Sequence, residues 1–357
     1  MNKKINARQT GLIIFLCIMA NKILLLPSLM YQEARADSIF VLIILFLFEL
    51  GLIPIFINMK RSYPDEKLLN ILSKKLTPFV GKVIYLVLLV YFFFKIILTF
   101  SIVYVYLKQQ VYQDEFLFLA IISIFPVINY ATIKGLRPLT RTIELFFGVI
   151  VVGFLVCLSF SLFTDFSLPV FFVSTVKDLA GSFYKNIFSF GDFLMLFLLI
   201  DRIGLKKGDG KVLFRYAFFA IFLVLALFFI FFSKYQITAF MHNNAISDVL
   251  VLSIQFNAVG RLDIIAMLTV MIITLFQLAI FNYAFCDCLV NIFPLMKMPY
   301  AVAVFDILFF VLYYFFIGEY EIVIANFSNW QPILGMIVNY VFPVIFLILA
   351  LIEKEKT

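Results

Sequence analysis

Ten long apolar stretches dominate this chain in two sets of five, and polar residues interrupt the first stretch of each set. The first stretch is interrupted at residues 21–22 and the sixth at residues 189–192. About 20 consecutive apolar residues can cross the hydrocarbon core of a bilayer as a helix. Interrupted spans in matching positions of two halves are typical of the binding sites of transporters. The pattern predicts an all-α polytopic membrane protein with ten transmembrane helices and a permease-like site.

The ten predicted helices form a single transmembrane domain that covers residues 1–357. Their approximate ranges are 10–30, 38–58, 83–106, 115–133, 143–163, 187–204, 214–233, 262–285, 299–317 and 332–352. The first five helices form repeat one, about residues 10–163, and the last five form repeat two, about residues 187–352. Helices 1 and 6, which open the two repeats, are the broken ones.

Composition excludes an ordinary soluble protein and indicates the orientation in the membrane. Hydrophobic residues make up 64% of the chain, charged residues 14%, and the mean hydropathy is +1.10. The net charge of +7 does not indicate nucleic acid, because 20 of the 28 Lys and Arg residues fall in alternate loops and only six in the others. Basic residues concentrate in cytoplasmic loops. The lipid bilayer is therefore the expected surrounding, with both termini cytoplasmic.

No motif for catalysis, a cofactor or a metal is visible. The four cysteines are spread out, and the lone His242 with Cys286 and Cys288 does not form a four-ligand set. A non-enzymatic role without cofactor or metal is therefore expected. Polar residues of the eighth span, such as Asn282 and Asp287, are expected to hydrogen-bond neighbouring helices.

Five ionisable side chains fall near the middle of predicted spans, where each costs at least about 2.5–3.5 kcal/mol on insertion scales. They are Lys22, Glu49, Lys95, Asp192 and Asp306. Such a set forms either structural ion pairs, for instance Lys95 with Glu49, or a proton or cation relay. Asp306 is expected to have a structural partner. Tyr91 and Thr99 lie four residues either side of Lys95, which predicts a polar stripe on one helix face.

The two interruptions are the predicted binding site. A break frees backbone N–H groups that suit a carboxylate and C=O groups that suit an ammonium or another cation. An amino acid zwitterion offers both charges. The candidate ligand-binding residues are Ala20, Asn21, Lys22, Ser189, Phe190, Gly191 and Asp192. The alternative is that both helices are merely kinked, with snorkelling or paired charges.

Short motifs connect these features to a known family. Gln9 and Pro27 bracket the first span, Phe190-Gly191-Asp192 lies in the sixth, and residues 260–263 (Gly-Arg-Leu-Asp) lead into the eighth. With these motifs the chain resembles the spore germination permeases, the B subunits of germinant receptors (GerAB/GerKB type) in the amino acid–polyamine–organocation superfamily. The resemblance implies a 5+5 inverted repeat similar to that of the bacterial leucine transporter.

The resemblance also implies a function. It predicts that the chain binds a small germinant, of the amino acid type, at the midplane between helices 1 and 6. Binding would trigger germination through receptor A and C subunits in the spore inner membrane. The family usually has glycine where this chain has Ala20-Asn21-Lys22. Lys22 is expected either to occupy the space of the ligand carboxylate or to substitute for that backbone site.

Two other functions remain open on the sequence. The chain could be an amino acid–proton symporter of the same fold, with Asp192 or Glu49 as the proton carrier. It could also be a structural membrane subunit whose site is vestigial. The family likeness favours the receptor, and the retained midplane charges keep the symporter open.

Overall fold

The computed structural model describes residues 4–110, 114–162, 167–206, 208–251, 263–316 and 329–354, and this part of the chain is almost entirely helical. Residues 260–262 of the predicted Gly-Arg-Leu-Asp motif lie outside the described residues. The helices are α1 Ala7–Met19, α2 Leu26–Ala34, α3 Ser38–Ser62, α4 Leu68–Lys75, α5 Pro78–Gln110, α6 Asp114–Lys134, α7 Leu136–Ser161, α8 Val176–Asn186, α9 Leu194–Leu198, α10 Gly210–Tyr235, α11 Ala245–Val251, α12 Asp263–Ile292, α13 Met298–Phe316 and α14 Asn329–Ile352.

Six helical segments of the described chain are long and apolar enough to cross a membrane. They are Leu26–Ser62, Pro78–Lys108, Leu136–Ser161, Gly210–Met241, Ile264–Ile292 and Asn329–Ile352. A shorter apolar helix covers Met298–Leu312. These helices establish an all-α polytopic membrane protein. Ten crossings and the inverted repeat remain predictions, partly because the broken elements α1 and α9 are each too short to cross alone.

The first predicted span is broken as expected. The helix α1 starts with a capping box, in which the side chains of Asn6 and Gln9 each accept the other residue's backbone N–H, and it ends at Met19. A 3₁₀ turn, Ala20–Lys22, follows, and α2 resumes at Leu26. Pro27 lies in the first turn of α2, where a missing N–H leaves no hydrogen bond unmade. Residues 20–25 between the two helices are called the first break below.

The sixth predicted span, about residues 187–204, is also broken as expected, but less of it is α-helical than predicted. Residues 187–193, called the second break below, contain a 3₁₀ turn, an extended Phe190 and Gly191 with φ of +84°. Only Leu194–Leu198 is α-helical, and a 3₁₀ turn, Ile200–Arg202, follows it. The side chains from Phe193 to Ile200 are all buried in protein. Their apolar character therefore reflects burial among other helices, where irregular backbone is tolerated.

The two broken elements lie inside a shell of longer helices. The helix α1 packs against α7, α10 and α12, while α12 also packs against α5, α6 and α9. The N-terminal segment pairs with the end of the sixth region, because the Ile5 N–H donates to the Arg202 carbonyl and the Gly204 N–H donates to the Ile5 carbonyl. This packing removes both breaks from the lipid-facing surface and brings them together at the centre.

Candidate solute-binding site

Four buried charges meet where the two breaks face each other. They are Lys22 in the first break, Glu49 on α3, Lys95 on α5 and Asp192 in the second break, and none is more than 2% exposed. We call these four residues the central charge cluster. Two cations balance two anions, so the cluster is neutral when all four are ionised. Buried charges persist only when they are paired and hydrogen-bonded.

The shortest ion pair of the cluster joins α5 to the second break. The Lys95 Nζ lies 2.6 Å from Asp192 Oδ1 and also donates to the Phe190 carbonyl at 3.1 Å. The rings of Tyr91 and Phe188 lie 5.4 Å and 5.2 Å from the same ammonium, measured to their centroids. The structure therefore pairs Lys95 with Asp192 and not with Glu49, because the second break approaches α5 more closely than α3 does.

The second lysine crosses from the first break to the second with longer contacts. The Lys22 Nζ lies 3.3 Å from Asp192 Oδ2 and 3.8 Å from Glu49 Oε1. It also donates to the Cys17 carbonyl at 3.3 Å and lies 4.8 Å from the centroid of the Phe190 ring. Lys22 therefore binds a carbonyl near the end of α1 and the carboxylate of the opposite break at once.

The chain's own side chains bind the freed backbone groups of the second break. The Gly191 N–H donates to Glu49 Oε1 at 2.8 Å. The Phe190 carbonyl accepts from the Tyr91 hydroxyl at 2.7 Å as well as from Lys95. These contacts satisfy groups that would otherwise cost about 1–3 kcal/mol each when buried. An N–H group and a carbonyl predicted to face a solute are thus already occupied.

Asn339 of α14 completes this arrangement. Its side-chain amide donates to the Ile187 carbonyl at 2.9 Å and to the Phe190 carbonyl at 3.2 Å. Asn339 lies in a π-helical turn, Ile337–Val341, a distortion that is frequent at functional sites. The sequence analysis missed it, although a single amide inside an otherwise apolar span was the available signal.

Position 191 requires glycine for two reasons, its backbone conformation and the lack of space for a side chain. Its φ of +84° is a value that residues with a side chain rarely adopt. A Cβ atom at this position would overlap the side-chain amide of Asn339. The close approach of α14 to the second break therefore depends on glycine here.

The predicted polar stripe on α5 is confirmed and contacts both breaks. Thr99 donates to Asn21 Oδ1 at 2.9 Å, and Tyr91 and Lys95 bind the second break. The Asn21 Nδ2 is buried and has no hydrogen-bond partner among the described residues. Ala20 is buried beside it. One helix face thus holds the two breaks in register.

The remaining predicted residues lie elsewhere or at the edge. Asp306 on α13 accepts from the Asn129 side chain at 2.7 Å, and Asn129 in turn accepts from Asn282 at 3.3 Å. The structure therefore gives Asp306 a polar partner, as expected, but it does not bring Asp306 into contact with the central charge cluster. Ser189 is half-buried at the end of its 3₁₀ turn.

The described cavities lie around the central charge cluster rather than within it. One, of about 660 Å³, is lined by residues that include Val90, Phe94, Phe188, Trp330 and Ile337. Its wall residue Phe188 is the same ring that lies 5.2 Å from the Lys95 ammonium. Two further cavities, of about 590 and 390 Å³, lie beside Tyr31 and Arg35 and beside Lys4 and Arg202 respectively. The cluster itself is closed.

Long apolar helices around two buried breaks with balanced charges define an integral membrane protein of the permease type. The family model described as "Spore germination protein" (Spore_permease) matches residues 4–321. The chain therefore belongs to the spore germination permease family, which confirms the resemblance recognised from its motifs. No curated protein matches the chain significantly.

Proposed function

We propose that this chain is the membrane-embedded subunit of a spore germinant receptor, and that it binds a small germinant between helices 1 and 6. The observation that carries the proposal is the central charge cluster, in which Lys22 of the first break contacts Asp192 of the second at 3.3 Å. Discontinuous helices that meet within a membrane protein are where permeases bind their solutes. Germinant binding is the use of such a site that fits membership of the germination family.

The ligand class that fits best is an amino acid. The site places acids and bases side by side, and a zwitterion would exchange with them at the Gly191 N–H, now bonded to Glu49, and at the Phe190 carbonyl, now bonded to Tyr91 and Lys95. A zwitterion adds no net charge to a neutral cluster, whereas a simple cation or anion would leave one buried charge uncompensated. The unpaired Asn21 Nδ2 is a further donor for a ligand oxygen.

Phe188 suggests how a solute reaches the site. Its ring lines the 660 Å³ cavity, and the ring centroid lies 5.2 Å from the Lys95 ammonium. The same cavity is lined by Trp330, the only tryptophan of the chain, and tryptophan is enriched at membrane interfaces. Rotation of Phe188 would connect this cavity with the central charge cluster. In the orientation proposed here, with both termini cytoplasmic, the cavity lies on the outer side.

The receptor role requires partners. Within the proposal, receptor A and C subunits convert germinant binding into the germination signal in the spore inner membrane. The basic loops, which hold 20 of the 28 Lys and Arg residues, support the orientation with cytoplasmic termini. Association with A and C subunits predicts that all three co-purify from spore membranes.

A second candidate function is amino acid–proton symport, and the observation that favours it concerns one carboxylate oxygen of Glu49. The Glu49 Oε2 is buried and has no hydrogen-bond partner among the described residues, while both oxygens of Asp192 contact lysines. Glu49 Oε2 can therefore accept a proton without losing a hydrogen bond, whereas either oxygen of Asp192 would first have to leave a lysine. Glu49 is therefore the better of the two candidate proton carriers.

The test is binding and uptake measured on the same preparation. Purified wild-type protein would be assayed for binding of a panel of radiolabelled amino acids in detergent, and for their uptake into proteoliposomes with and without an inward proton gradient. Binding without uptake supports the receptor. Proton-driven uptake by this chain alone supports the symporter. Absence of both, with the protein folded, supports a vestigial structural subunit and overturns the proposal.

A variant that loses one positive and one negative charge tests whether binding occurs at the central charge cluster. Lys95→Met with Asp192→Asn removes one cation and one anion together, so no uncompensated buried charge remains. We expect this variant to fold and to lose binding of the amino acid that the wild type binds. Asp306→Asn, which lies outside the cluster, is the matched control and should retain binding. Wild-type affinity in the double variant would refute the site.

A further inference from the structure

The central charge cluster holds a feature that the proposed function does not by itself explain. The backbone groups that should bind a solute are occupied by Lys22 and Glu49. We propose that the Lys22 ammonium and the Glu49 carboxylate form an internal zwitterion, which occupies the positions of the charged groups of an α-amino acid and must be displaced by it. This inference rests on the proposed function and specifies the ligand class and the residues that control its affinity.

The surroundings of the Lys22 ammonium are those of an ammonium-binding site. A carbonyl oxygen of Cys17, a carboxylate oxygen of Asp192 and the face of the Phe190 ring lie around it. Carbonyl, carboxylate and aromatic groups are together the usual partners of a bound primary ammonium. The α-ammonium of a free amino acid could make the same three contacts without any other change in the site.

The Glu49 carboxylate occupies the complementary position. Its Oε1 accepts the Gly191 N–H at 2.8 Å, in the second break, where a free backbone donor was expected to hold a ligand carboxylate. Its Oε2 has no hydrogen-bond partner among the described residues. The carboxylate of a solute could replace Glu49 on the Gly191 N–H and use its second oxygen elsewhere in the site.

The spacing of the two charges selects the class of zwitterion. The Lys22 Nζ and the Glu49 Oε1 are 3.8 Å apart. In an α-amino acid, standard bond lengths and angles put the nitrogen about 2.7–3.6 Å from the carboxylate oxygens, so the 3.8 Å separation is close to the upper end of that range. In γ-aminobutyrate two more methylene groups separate the charges. The internal zwitterion therefore matches an α-amino acid in charge separation.

Lys22 is also the more loosely held lysine of the cluster. The contacts of Lys22 with the acids, 3.3 and 3.8 Å, are longer than the 2.6 Å of Lys95 with Asp192. Both side chains are long and can rotate out of the site as a pair, which keeps their charges compensated. Lys95 and Asp192 would stay and bind the incoming solute.

The test removes the internal zwitterion and measures whether affinity rises. The variant Lys22→Met with Glu49→Ala deletes both charged groups and keeps the cluster neutral; replacing a buried ion pair with apolar groups is often neutral for stability. The probes are radiolabelled glycine, alanine and leucine, with γ-aminobutyrate as the zwitterion of wider charge separation. The matched control is Glu33→Gln with Lys185→Gln, which removes an exposed pair 2.7 Å apart.

We expect the variant to bind at least one of the three α-amino acids about tenfold more tightly than the wild type, because the competing closed state is gone. The control should show wild-type affinity, and γ-aminobutyrate should gain less. Equal or weaker binding by the folded variant overturns the inference. If the variant does not fold, as judged by its Tm and size-exclusion profile, Lys22→Gln with Glu49→Gln replaces it, and it must also bind more tightly.

The two proposals fail in different ways. Wild-type binding with no gain in either double variant overturns the internal zwitterion and leaves the proposed function standing. Binding of no probe by the folded wild type and by both folded variants overturns the proposed function and the internal zwitterion with it. Binding by the variant alone supports both, because it shows a competent site that the internal charges keep closed.

Discussion

Two buried polar clusters of this protein differ in the number of ionisable side chains that they contain. The central charge cluster contains four ionisable groups at two helix breaks. The second cluster, here called the amide cluster, consists of Asn129, Thr132, Asn282 and Asp306 on the unbroken helices α6, α12 and α13. In the described contacts of the amide cluster, a single acid is held by neutral side chains. Of these two clusters, the one at the open backbone holds the concentration of charges.

The two clusters differ in charge because they form hydrogen bonds with different groups. An unbroken helix uses its own N–H and C=O groups, so side chains between such helices need only one another. A break leaves backbone groups that require strong partners, and charged groups form the stronger hydrogen bonds. The central charge cluster therefore stabilises the breaks, and under the proposed function it is also the set of groups with which a solute exchanges.

The largest expected effect comes from Asp192→Asn. The substitution leaves Lys22 and Lys95 facing the single carboxylate of Glu49, and removal of one partner of a buried pair costs about 3–5 kcal/mol. We expect a severe loss of folded yield and a lower Tm in detergent. Fluorescence-detected size exclusion and a thermal melt measure both. A stable, fully folded single variant would show that the cluster does not hold the breaks together.

Gly191→Ala tests the backbone at the second break. The strain of a positive φ and the overlap with Asn339 together should lower the free energy of unfolding by about 2–4 kcal/mol. Gly181→Ala is the matched control, because a Cβ at Gly181 of α8 meets open space. The control should be neutral or slightly stabilising. Similar Tm values for the two variants would contradict the close approach of α14.

A pair of double-mutant cycles tests which acid Lys95 binds. One cycle combines Lys95→Met with Asp192→Asn and the other combines it with Glu49→Gln. We expect a coupling energy of about 1–3 kcal/mol between Lys95 and Asp192, and a smaller one between Lys95 and Glu49. Thermal or denaturant unfolding of the folded variants gives the values. A larger coupling to Glu49 would restore the clamp considered from the sequence.

Asp306→Asn should have the smallest effect, and it is chemically the same change as Asp192→Asn. The new amide oxygen can still accept from Asn129, and no buried cation loses its partner among the described contacts. We expect a change below about 1 kcal/mol in the free energy of unfolding. A loss comparable to that of Asp192→Asn would mean that the two clusters are not different in kind.

Much of the site was predictable from the residues alone. Three signals are local or compositional. They are the two interruptions, the need to compensate midplane charges, and the stripe of Tyr91, Lys95 and Thr99. They correctly marked Lys22 and Asp192 as residues of the two breaks. The family was likewise recognisable from short motifs, and the match over residues 4–321 confirms it.

Other features of the site could be identified only from the tertiary structure. The partner of Lys95 depends on how closely the second break approaches α5, which no spacing in the sequence encodes. Asp306 was grouped with the other midspan charges, but it lies on α13, where its described contact is with Asn129 and not with the central charge cluster. Asn339 was missed because one amide in an apolar helix is usually a packing group. The break in the sixth span was predicted, but the shortness of its helix, Leu194–Leu198, was not, because buried and lipid-facing apolar residues look alike in sequence.

The sequence by itself determined that this chain is a helical membrane protein with two interrupted segments, because the length of each apolar stretch can be read directly from the residues. It also determined that the ionisable groups must compensate one another, because a lone buried charge is costly wherever it lies. Only the tertiary structure decided that Lys22 and Glu49 bind backbone groups at the two breaks, the Cys17 carbonyl and the Gly191 N–H. Long flexible side chains can reach several partners, and the distance between helices alone selects among them.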